Sequence, residues 1–143
     1  MIRTALVGVL GGWLTAAAWG AEPTELEGLW KPVSITSGGM SIPKENLAKL
    51  QMSLLIKGNT ITLKSRDNNG NIKEEAVRFE LNTATKPKSI DFTLPSDEVK
   101  KGIYVLEGDT LRLCWDDDGD ERPKEFASKP ETDLILFVLK RDK

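Results

Sequence analysis

Gly102-Ile103-Tyr104-Val105-Leu106-Glu107-Gly108-Asp109-Thr110-Leu111-Arg112-Leu113-Cys114-Trp115 reads as two strands joined by a tight turn. Leu111, Leu113 and Trp115 alternate with Thr110, Arg112 and Cys114, the period of a strand with one buried face. Gly108 supplies the positive φ that a two-residue hairpin demands. Ile103 to Leu106 is apolar throughout, so its facing stays open.

The same grammar recurs on both sides. Met52, Leu54 and Ile56 alternate with Ser53, Leu55 and Lys57, Gly58-Asn59 makes a second hairpin turn, and Ile61 and Leu63 continue the alternation. Val77, Phe79 and Leu81 point one way against Ala76, Arg78 and Glu80. Ile90, Phe92 and Leu94 do so against Asp91 and Thr93. Leu29 to Thr36 opens the series, with Pro32 tolerable near a strand start or edge. Leu134 to Leu139 closes it and, being continuously apolar, needs cover on both faces. Asp67-Asn68-Asn69-Gly70-Asn71 is a turn cluster. The one helical piece runs from Pro43 to Leu50, with Leu47 and Leu50 on one edge. No helix is long enough to cover a sheet of about eight strands. The expected fold is therefore all-β: an antiparallel, up-and-down, eight-stranded barrel that buries one face by curling and leaves no exposed edges. A two-sheet sandwich is the competing arrangement.

The first residues follow a different rule. Met1-Ile2-Arg3 carries one positive charge, Thr4 to Ala18 carries none, and Ala18-Trp19-Gly20 places small residues where a signal peptidase reads them. Residues 1–20 are expected to be a secretion signal cut before Ala21, and residues 21–143 one exported domain, periplasmic or extracellular. The apolar run is shorter than the roughly 20 residues that a membrane-spanning helix needs. In the 143-residue chain, 20 Lys and Arg residues face 22 Asp and Glu residues. That near balance offers no electrostatic case for nucleic acid or an anionic membrane. The single cysteine, Cys114, has no partner for an intrachain disulfide. It is either a reactive or bridging thiol or a small half-buried apolar residue.

Leu26-Glu27-Gly28-Leu29-Trp30 resembles the Gly-x-Trp opening of lipocalins and their relatives. There the Trp closes one end of the barrel, and a basic residue after the last strand packs on its ring. The resemblance puts Trp30 and Arg141 in those roles. The chain is also similar to a family of uncharacterised small secreted domains found mainly in planctomycete bacteria. The similarity is carried by Gly102-Ile103-Tyr104, Gly108-Asp109-Thr110-Leu111, Leu113-Cys114, Arg122-Pro123-Lys124-Glu125-Phe126 and Leu139-Lys140-Arg141. It implies a lipocalin-like fold and no particular activity. Typical lipocalins are longer and carry disulfides.

The chain contains no histidine, which removes Ser-His-Asp and Cys-His nucleophiles and the usual zinc sites. No phosphate-cradling glycine loop is present, and Gly38-Gly39 lacks the pattern. No cofactor and no catalytic group are expected, and a carboxylate pair is the one enzymatic option left. Asp116, Asp118 and Asp120 have the spacing of early calcium ligands. Glu121 stands where the sharp-turn Gly belongs and Ala127 where the bidentate Glu belongs, so the segment reads as a solvated turn and no metal is expected. The connection from Asp116 to Asp133 exceeds the roughly 12–15 residues of ordinary loops. Its Phe126 either lids a barrel mouth or pins the loop. Phe79, Phe92, Tyr104 and Trp115 are the inward rings, either lining a site for a small apolar ligand or simply filling the core. The expected function is a non-catalytic, monomeric binding module. The alternative is an accessory domain that meets a protein of the cell envelope through its outer face, where Leu55 and Cys114 are the apolar candidates.

Overall fold

The turns at Gly58-Asn59 and Gly108-Asp109 each join adjacent antiparallel strands, with Gly58 at φ 60° and Gly108 at φ 61°. A computed structural model describes residues 24–118 and 121–142. The expected signal at residues 1–20, and Asp120 of the acidic turn, lie outside the described residues. A short 3-10 turn, Thr24–Leu26, precedes strand β1 (Gly28–Ser37). Then follow β2 (Met40–Ser41), helix α1 (Lys44–Leu50), β3 (Ser53–Lys57), β4 (Thr60–Arg66), β5 (Ile72–Asn82), β6 (Lys88–Thr93), β7 (Val99–Glu107), β8 (Thr110–Asp116) and β9 (Leu134–Arg141).

From β3 to β9 each strand pairs antiparallel with the next, and β1 pairs with both β3 and β9. The sheet thus closes into an eight-stranded antiparallel barrel. The two-residue β2 only extends β1 as a hairpin. Closure satisfies edges that an open meander would leave bare. It also buries the phase read from the alternation: Leu54, Ile56, Ile61, Phe79, Leu81, Ile90, Phe92, Leu111, Leu113 and Leu139 belong to one core cluster. On β7 the ambiguity resolves by pairing. Tyr104 lies opposite inward Leu113, so Tyr104 and Leu106 face the core while Ile103 and Val105 face outward.

At Pro32/Ser34 the β1–β9 register shifts. The bulge restores inward facing for Ile35, 5% exposed, and turns Val33, 47% exposed, to solvent. Pro32 sits at this irregularity, where a missing donor is tolerated. Helix α1 begins after Pro43, which occupies the cap position itself.

The connection from β8 to β9 takes a route the sequence did not reveal. The Nη1 of Arg122 donates to the Asp91 carboxylate at 2.7 Å and to the Gly102 carbonyl at 2.9 Å. The Cys114 thiol donates to the Ala127 carbonyl at 3.4 Å, and the Ser128 hydroxyl to the Leu134 carbonyl at 2.7 Å. The loop therefore lies along the outer wall across β6, β7 and β8. It covers outward-facing Ile103 and Cys114, which are 1% and 0% exposed. Cys114 is thus no part of an exposed apolar surface, contrary to the sequence expectation. Phe126, one residue before Ala127 in this loop, is half-buried.

Candidate functional site

One end of the barrel is shut and the other is open. At the shut end Trp30 is fully buried, and its indole Nε1 donates to the Leu26 carbonyl at 2.8 Å. The Arg141 guanidinium lies 4.3 Å from the Trp30 ring centroid and donates to the carbonyls of Glu27 and, at 3.0 Å, Glu25. Gly28 makes room for it, since a Cβ there would stand 2.9 Å from Arg141 Nη1. Phe79 and Tyr104, 2% and 5% exposed, pack in the core cluster.

At the open end a cavity of about 170 Å³ remains. Alternation on β3, β4 and β5 supplies Leu54, Ile61, Leu63 and Val77 to its wall, and three rings complete it. Phe92 on β6 meets Trp115 on β8 edge to face, with centroids 5.4 Å apart. Trp115 meets Phe137 on β9 at 5.1 Å. Gly102 is opposite Trp115, and its missing side chain leaves the indole its place. Of the four rings expected inside, Phe92 and Trp115 line this cavity, while Phe79 and Tyr104 do not.

The mouth is charged. Glu75, Lys100 and Asp117 line it. Lys100 Nζ donates to Glu98 Oε2 at 2.9 Å and to the Asp117 carbonyl, and lies 3.9 Å from Asp117 Oδ1. The hydrogen bond to Glu98 holds the ammonium above its ordinary pKa, reinforced by the charges of Asp117, Glu98 and Asp118 against some desolvation. Trp115 Nε1 reaches Asp117 Oδ1 at 3.3 Å. These mouth residues are absent from the sequence expectation, although a signal for them exists. Glu75 is in phase with Val77, Phe79 and Leu81, and Lys100 is in phase with Gly102 and Tyr104. A charge on the inward phase of a barrel strand marks where the interior meets water.

Asp116 and Asp118 form a local turn, with the Asp118 N–H donating to Asp116 Oδ1 at 3.2 Å. Among the described residues no group of three His, Cys, Asp or Glu side chains is disposed to hold a metal ion. Comparison of the chain with protein-family models, curated proteins and solved structures returned no match.

Proposed function

We propose that this protein is an exported, non-catalytic binding module that takes one small apolar molecule into the open end of its barrel. The observation that carries the reading is the cavity of about 170 Å³ between Leu54, Ile61, Leu63, Phe92, Trp115 and Phe137. An enclosed apolar cavity of roughly 150 Å³ can hold benzene, whereas drug-sized pockets run from roughly 300 to 1,000 Å³. The occupant is therefore of benzene size, well short of a long-chain lipid. Titrating the purified protein with benzene or toluene tests this. Saturable heat, and a change in the emission of Trp115, is the expected result; no heat and no spectral change would overturn it.

Membership in the lipocalin-like secreted family is part of the same proposal. Its support is the ordered set of motifs from Gly102 to Arg141 and the packing of Arg141 on Trp30. Export rests on the layout of residues 1–20. N-terminal sequencing of the protein recovered from its native compartment is expected to begin at Ala21.

A second reading, contact with an envelope protein, draws on the outer wall. Leu29 and Leu55 are direct cross-strand neighbours there, 36% and 44% exposed, and Val33 stands nearby on β1. Loss of a specific crosslinked partner in a Leu29→Lys, Leu55→Lys variant would favour it, and recovery of the same partner would remove it.

A further inference from the structure

The rim of the cavity constrains the head group of its occupant, and this step rests on the cavity-binding reading above. Three charged side chains line the mouth, and they are not equivalent. The positive charge of Lys100 is already committed to Glu98 and Asp117, and its side chain is only 14% exposed. Asp117 is engaged in turn by Lys100 and the Trp115 indole. Glu75 has no ion pair or side-chain hydrogen bond among the described residues. Its neighbour Glu74 takes Lys64, and the charge of Lys73, two residues earlier on β5, acts on Asp67. The uncommitted charge at the mouth is therefore a carboxylate.

The surroundings have the same sign. Among the charges that line the cavity or act on Lys100, four are acidic, Glu75, Glu98, Asp117 and Asp118, against Lys100 itself. A carboxylate head approaching Lys100 would have to compete with the partners that already hold it and would meet repulsion from the rest. A cation gains from the same field. It also gains from the aromatic wall, because ring faces carry negative potential and indole most of all.

We propose that the occupant is a small apolar amine. Its hydrocarbon part fills the space between Phe92, Trp115 and Phe137, and its ammonium rests at the mouth beside Glu75.

The test is calorimetric titration of the protein and of its Glu75→Gln variant with benzylamine, benzyl alcohol and phenylacetate, which share a ring and differ in head charge. Benzylamine is expected to bind tightest and phenylacetate weakest. Glu75→Gln is expected to weaken benzylamine about three- to fivefold, at the upper end of what a solvent-exposed ion pair contributes, and to leave benzyl alcohol unchanged. If benzyl alcohol binds and benzylamine has no advantage, or if phenylacetate binds as tightly as the amine, the amine assignment falls while the cavity reading stands. If Glu75→Gln weakens benzyl alcohol and benzylamine alike, Glu75 shapes the cavity without selecting charge, and the assignment falls again. If none of the three binds, both readings fall.

Discussion

The Arg141 guanidinium stacks 4.3 Å from the Trp30 ring centroid and ties two separate segments to it. Its nitrogens reach the carbonyls of Glu25 and Glu27 before β1, and its Nε lies 3.4 Å from the Asp109 carboxylate in the β7–β8 turn. Arg141→Ala removes a cation–π contact of about 0.5–2 kcal/mol and strands two carbonyls of the plug. The side chain is a quarter exposed, so a total loss of about 1–3 kcal/mol in urea unfolding is expected. Arg141→Lys keeps the charge but not the planar fork and should recover less than half of that loss. An Arg141→Ala protein as stable as the parent would remove this residue from barrel closure.

Gly102 supports the opposite, open end. An added Cβ would stand 2.7 Å from the Cys114 carbonyl oxygen, 3.1 Å from Trp115 Cβ and 3.3 Å from Phe92 Cε2. The first of these is backbone and cannot rotate away. Gly102→Ala is therefore expected to destabilise by about 1–3 kcal/mol, as overpacking does, and to push Trp115 toward the cavity. Both a lower Tm and weaker binding of benzene follow. A lowered Tm with unaltered benzene affinity would mean that the strain is absorbed away from the rings.

Strand phase carries most of what the sequence tells. Leu54, Ile61, Phe79, Phe92 and Leu113 are inside because a period of two leaves them no other face, and a helix as short as Lys44–Leu50 could not have covered an open sheet. The Pro32/Ser34 bulge was illegible, because the extra residue that resets the phase is defined by its pairing with β9 and not by composition. The loop route was equally hidden. Arg122 finds Asp91 and the Gly102 carbonyl only once β6 and β7 are side by side. At the candidate site the two lining rings were readable from alternation. The mouth was readable only in part: the phase of Glu75 and Lys100 turns them inward, but only closure of the barrel sets them together at one rim.

The loop over the outer wall should govern access to Cys114. The thiol is fully buried under Ala127, and burial pushes its pKa up. In the folded protein it is expected to resist a thiol reagent at neutral pH and to react fully once unfolded in urea. Arg122→Ala removes the charge-assisted anchor on Asp91, worth about 1.5 kcal/mol, and is expected to speed labelling about tenfold while the far-UV spectrum stays unchanged. Equal rates in both proteins would show that Ser128 and its bond to Leu134, not Arg122, hold the loop down.

The same thiol is expected to set a pH limit on the alkaline side. Desolvation raises Cys114 above its ordinary 9.0, and desolvation raises Tyr104 above its ordinary 10.0 with a further push from Glu25. For an acid whose pKa is higher in the fold than in the unfolded chain, the folded form binds more protons between the two values. Stability is then fully present below the unfolded value and is lost as pH climbs toward the folded one. Urea midpoints are accordingly expected to hold up to about pH 8.5 and to decline above 9.0, first through Cys114 and then through Tyr104. Cys114→Ala should flatten the first part of that decline, despite its own packing loss, and Tyr104→Phe the later part. Tyr104 adds its loss only near and above 10.0 and raised Lys100 only near and above 10.5, so the interval from 9.0 to 10.0 isolates the thiol. A slope there that survives Cys114→Ala unchanged would mean that a group other than the buried thiol sets the alkaline limit.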